Sequence, residues 1–92
     1  MIIETKIWKY QGQTAWYFVS TTRAQGAELK ASGRGVKGWR MIKVNARIGR
    51  TTFSTSLFPS KDGTYLLPIK ASVRKREDLE EGDFVRVECV LA

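Results

Sequence analysis

Ninety-two residues carrying 42% apolar, 27% charged and 11% aromatic side chains make one small globular domain, spanning 1–92, and exclude disorder, collagen and low-complexity readings. Sixteen Lys plus Arg against nine Asp plus Glu leave a net charge of +7 with no histidine and one cysteine, which removes the commonest general base and metal ligand and any internal disulfide. No apolar run approaches the roughly 18 residues of a membrane span, and the amino terminus lacks a signal-peptide layout. The expected setting is therefore cytoplasmic, with no membrane partner.

The dominant period is two. Ile2 to Tyr10 reads as a first strand with Ile3, Thr5 and Ile7 on one side, and Gln11-Gly12-Gln13 turns the chain into a second strand, Ala15 to Val19. Thr22 followed by Gln25 three residues on predicts a capping box opening a short helix that Gly33 closes, with Gly26 inside it costing about 1 kcal/mol against alanine. A basic connector, Gly33 to Gly38, leads to a strand over Trp39 to Ile48 in which Ile42, Val44, Ala46 and Ile48 face inward and Met41, Lys43, Asn45 and Arg47 outward.

Gly49-Arg50 makes a tight turn into a Thr-rich strand, Thr51 to Phe58, that Pro59 ends. Ser60-Lys61-Asp62-Gly63 reads as an Asp-Gly hairpin turn before a strand carrying Tyr65, Leu67 and Ile69, with Pro68 marking an edge or a strand end. A helix over Ala71 to Leu79 and a final strand over Phe84 to Leu91, with Val85, Val87, Cys89 and Leu91 inward, complete the chain. Six or seven strands with two short helices predict a closed or nearly closed barrel, since closure removes exposed edges. A strand–helix–turn–strand pattern occurs twice, from Trp16 to Val44 and from Tyr65 to Val87, which suggests two halves about a pseudo-twofold axis.

Charge is unevenly placed. Between Leu29 and Lys61 there are eight basic residues and no acid, whereas five acids crowd into 77–83. Arg34, Lys37, Arg40, Lys43, Arg47 and Arg50 are candidates for a nucleic-acid face, or else they keep the protein soluble. Lys70 and Arg74, four apart, form either an anion notch or surface pairs with Glu77, Asp78 or Glu81. Trp8, Trp16 and Trp39 serve either as stacking platforms or, more commonly in a small barrel, as core filling and end shields. Gly33-x-Gly35-x-x-Gly38 lacks the following helix that a pyrophosphate site needs. Cys89 lies in an inward register and reads as a small buried hydrophobe. No nucleophile–base pair, metal set or cofactor motif is legible, so the expectation is a non-catalytic binding module.

Leu67-Pro68, Arg74 and Gly82-Asp83 give the second half a likeness to the AbrB-type looped-hinge module. Trp16-Tyr17-Phe18-Val19, Gly38-Trp39, Ile48-Gly49, Ser56-Leu57-Phe58-Pro59, Tyr65 to Lys70, Arg74 and Gly82-Asp83 together resemble a bacterial and archaeal family of domains of unknown function. Its members are often fused ahead of a YdeI/OmpD-associated (bacteriocin-protection) domain; this chain would be a stand-alone member. The resemblance implies a mainly β, double-split β-barrel (pseudobarrel) with two short capping helices. One chain would build what two build in AbrB-type dimers, giving a monomeric pseudo-dimer or a weak homodimer. It implies no activity, and leaves the partner as nucleic acid or protein. Two departures set it apart from AbrB-type modules: Thr64 follows the turn glycine where a basic residue is usual there, and the basic stretch belongs to the first half alone.

Overall fold

The computed structural model describes residues 1–12, 15–32 and 41–92. Among these residues, seven strands and two helices follow in the order β1 (Ile2–Lys6), β2 (Trp8–Lys9), β3 (Tyr17–Ser20), α1 (Arg23–Ala31), β4 (Ile42–Ile48), β5 (Thr51–Pro59), β6 (Tyr65–Pro68), α2 (Ala71–Arg76) and β7 (Phe84–Leu91). The strands are hydrogen-bonded in the order β1-β7-β4-β5-β6-β3-β2, and every pairing is antiparallel.

The two ends of that order are two parts of one run of chain. The expected first strand breaks at Ile7, whose N–H donates to the Asp83 carbonyl (2.9 Å) and whose own carbonyl accepts from Gly82 (2.8 Å). Before the break the chain pairs with β7, and after it with β3. Ile7 stays buried through the change of partner. The bend brings the sheet round on itself into a nearly closed barrel.

The alternation expected of the strands is what fills the barrel. Ile42, Val44, Ala46 and Ile48 are all buried while Lys43, Asn45 and Arg47 between them are exposed. Tyr65, Leu67 and Ile69, and Val85, Val87 and Cys89, complete the interior together with Ile3, Val19, Phe53 and Leu57. Leu91 is a correction: it is 36% exposed at the end of β7, because the inward row has passed the rim of the barrel. Pro68 is the last residue of β6, where a missing N–H costs no interior ladder bond.

The turns follow their residues. Gly49, at φ 58°, is the one left-handed residue of the two-residue β4–β5 turn, the pattern of a type II′ hairpin. The expected Asp-Gly turn is a three-residue loop: Gly63 N–H donates to the Ser60 carbonyl (3.2 Å), Ser60 N–H to the Thr64 carbonyl (2.9 Å), and Gly63 takes φ 89°. Two hydrogen bonds from Thr64 hold the exposed Asp62 carboxyl below the usual carboxylate range.

Helix α1 opens with the expected capping box, the Thr22 hydroxyl accepting from Gln25 N–H (3.1 Å) and the Gln25 amide oxygen from Thr22 N–H (3.0 Å). Gly26 is buried, and a Cβ there would stand 1.9 Å from the Gly63 carbonyl oxygen. The glycine that weakens the helix locally therefore lets it lie on the β5–β6 loop. Helix α2 is shorter than expected, ending at Arg76. Asp78 turns left-handed there (φ 53°), and Leu79 N–H returns to the Arg74 carbonyl (2.8 Å). Beside it, Thr51 Oγ1 donates to Glu77 Oε2 (2.6 Å), tying α2 to the start of β5.

Candidate nucleic-acid and anion interface

Two outer faces of the barrel carry the candidate residues. The first is the outer side of β4, β7 and β1. Lys43 and Arg47 are exposed on β4, as expected, and Arg50 is exposed in the adjoining turn. Register, however, sets acids against these bases. Arg47 lies opposite Glu88 and forms an ion pair with it, and Arg86 lies opposite Glu4. The strand face is therefore mixed in sign rather than uniformly basic. Arg34, Lys37 and Arg40, together with Trp39, the Gly33 helix end and the Gly33-x-Gly35-x-x-Gly38 motif, lie outside the described residues.

The second face is the outer side of β2, β3, β6 and the end of β5, and it is aromatic. Cross-strand register builds it in two rows. Trp8, Phe18 and Pro68 stand side by side in one, and Ser20, Leu66 and Phe58 in the next. Trp8 and Phe18 rings meet at 5.1 Å with a 35° tilt, and Trp16 stacks on Phe18 at 5.9 Å and 13°. The Trp8 indole N–H is taken up by Ser20 Oγ (2.9 Å), which bridges the rows. Tyr10 and Trp16 remain about half exposed, at 51% and 48%. This corrects the expectation that tryptophans fill the core or shield the barrel's ends. Trp8 and Trp16 are mounted on its outside, because Ile7, at the bend before β2, and Val19 of β3 are the residues that this stretch contributes to the interior.

Beside the aromatic face runs an open cleft of about 520 Å³ between β5, the start of β3 and the β6–α2 junction. Trp16, Phe58, Lys70 and Arg74 line it, together with Ser54, Thr55 and Ser56 of β5. Arg74 is placed from two sides: Nε donates to the Ile69 carbonyl (3.1 Å), and the guanidinium carbon lies 3.7 Å from the centre of the Tyr17 ring. Lys9 Nζ stands 5.9 Å from that same ring. The expected alternative, that Lys70 and Arg74 pair with Glu77, Asp78 or Glu81, does not occur among the described residues, where Arg47–Glu88 is the ion pair present. Glu77 is engaged by Thr51 instead. Both cations thus line the cleft with no ion-pair partner among the described residues.

Trp16 and the Lys70–Arg74 pair, unconnected in the sequence, lie on one cleft in the fold. The sequence pattern missed Tyr17, Phe58 and Lys9. Phe58 carried a signal, since it is out of phase with the inward Leu57 yet strongly apolar, but period alone does not say that such a residue stays uncovered. Cys89 is buried as expected, and burial pushes its thiol up to about 11. Among the described residues no group of three or more His, Cys, Asp or Glu could hold a metal ion, and no helix is long and apolar enough to cross a membrane.

A seven-stranded antiparallel barrel with two short helices and an aromatic, cationic outer face describes the class of domain. More particularly, residues 4–89 match the family described as domain of unknown function (DUF1905), and the chain belongs to that family. No curated protein and no solved structure matches it.

Proposed function

We propose that this domain is a non-catalytic binding module whose ligand sits in the Trp16–Arg74 cleft and combines a negative charge with a flat apolar group. The observation that carries this reading is that Lys70 and Arg74, which have no ion-pair partner among the described residues, line one cleft with the exposed ring of Trp16. Cations at such a mouth attract an anion, while the rings offer stacking area. A protonated, buried Cys89 supports a role without covalent chemistry, and a single thiol fits a cytoplasmic setting. The double-split form of the barrel belongs to the same proposal. In its support, β3–α1–β4 and β6–α2–β7 are similar strand–helix–strand units, and their equivalent strands pair antiparallel, β3 with β6 and β4 with β7.

Nucleic-acid binding across the β4 strand face is the weaker reading, because Glu88 and Glu4 stand opposite its arginines. Titration with 1-anilinonaphthalene-8-sulfonate, a flat apolar ring system bearing one sulfonate, tests the cleft. Saturable binding to the native protein is expected, weakened by Lys70→Glu and by Trp16→Ala. Binding that neither substitution changes, or no saturable binding, rejects the cleft as the site.

A further inference from the structure

We infer that the ligand of this cleft, on the reading just given, is a single-stranded nucleic acid, its bases stacking on the outer aromatic face and its phosphates meeting Lys70, Arg74 and Lys9. The cleft alone would suit a small anion. What extends it is Trp16, which lines both the cleft and a neighbouring, almost wholly apolar surface formed with Tyr10, Phe18, Phe58 and Leu66. A ligand lying along both needs alternating character: flat apolar groups for the aromatic surface and regular negative charge for the cations at its margin. An unpaired polynucleotide has that alternation, whereas a duplex keeps its bases stacked on one another and presents only phosphate.

The aromatic surface is suited to stacking for a further reason. Phe18 meets the rings of both Trp8 and Trp16, and Ser20 holds the Trp8 indole, so these faces are preset before a ligand arrives. The indole N–H of Trp8 is already taken up by Ser20, so that ring offers a ligand its flat face alone. Sequence-tolerant stacking flanked by cations is the arrangement by which single strands are held without base readout. The protein's +7 charge adds a favourable long-range field.

The test is fluorescence anisotropy with a labelled 12-nucleotide DNA single strand of mixed sequence and its duplex, at about 50 and 200 mM salt. Three phosphate contacts predict a log–log salt slope near −2, so that binding weakens about 20-fold across that range. Trp16→Ala should weaken the single strand roughly 5- to 150-fold, the range for loss of one stacked base. Lys70→Ala should make the slope shallower by about 0.7. Both side chains are exposed, so the thermal midpoint should hold and a loss of binding is not a loss of fold. Lys43→Ala, on the β4 face, should leave binding unchanged. Equal binding of the duplex, indifference to Trp16→Ala, or a larger loss from Lys43→Ala than from Lys70→Ala overturns the inference. If the single strand fails to bind while anilinonaphthalene sulfonate still occupies the cleft, the nucleic-acid inference falls and the binding reading stands; if neither binds, both fall.

Discussion

Replacing Gly26 by alanine sets two principles against each other, and the structure says which prevails. Inside a nine-residue helix the change should be favourable by up to about 1 kcal/mol, because alanine is the better helix former. The added methyl, however, would lie 1.9 Å from the carbonyl oxygen of Gly63 and 3.3 Å from the Cα of Thr64. Ordinary contact begins near 3.4 Å, so helix and loop must part by over an ångström. The obstacle is backbone, pinned by the Ser60–Gly63 and Ser60–Thr64 hydrogen bonds, and it has no rotamer to change. Overpacking of this kind costs about 1–3 kcal/mol. The net expectation is a destabilisation of about 1–2 kcal/mol, or roughly 5–15 °C in the thermal midpoint for a domain of this size. Thermal melts followed by circular dichroism measure it, with Ala27→Gly, at the exposed neighbouring position, as the comparison for propensity alone. A midpoint for Gly26→Ala equal to or above that of the parent protein would refute the argument from close approach.

Four further outcomes follow from local geometry. Asp78→Gly should stabilise the domain by up to about 1 kcal/mol, since Asp78 holds φ 53° at the end of α2 and glycine relieves that strain; chemical denaturation with an unchanged m-value checks it. Glu77→Ala should destabilise by about 1–3 kcal/mol, because it strands the buried Thr51 hydroxyl, and Glu77→Ala/Thr51→Val should recover part of the loss. Thr64→Val removes the hydroxyl that chiefly lowers the Asp62 pKa, so a carboxyl NMR titration should move upward toward the ordinary value. The Cys89 thiol, raised to about 11 from 9.0, titrates earlier in the unfolded chain than in the native one. Its contribution is complete below about pH 9 and is lost as pH rises toward 11; the stability difference between the parent and Cys89→Ala should therefore shrink over that interval, and native protein should resist a thiol reagent at pH 8.

Much of the architecture is legible in single residues. The Ile42–Ile48 alternation, the Thr22–Gln25 box and the Gly49 turn each rest on interactions within a few positions, and they recur in the fold as expected. The break at Ile7 was not legible, because the inward side chain keeps its phase while the backbone changes partner. The candidate site was legible only as fragments. Period two separates the faces of β3 and β5, but it does not say whether an outward apolar residue such as Phe18 or Phe58 has a cover. That Arg47 meets Glu88, and that Arg74 lies over Tyr17, depends on register and on pairs far apart in sequence. Those are decided by closure of the barrel, not by neighbours along the chain.

The bend at Ile7 also has a kinetic side. It commits residues 2–6 to residues 84–88, contacts as remote as this chain offers, whereas β4 and β5 meet across a two-residue turn. The β4–β5 hairpin has little loop entropy to overcome, and the β1–β7 ladder has the most. Until β7 arrives it is missing from the outer side of both β1 and β4, and a growing chain on the ribosome presents two unpaired edges to solvent. Folding should then be slow for a domain of this length and dominated by one late closing step. The interval before closure is when this protein is most exposed to aggregation.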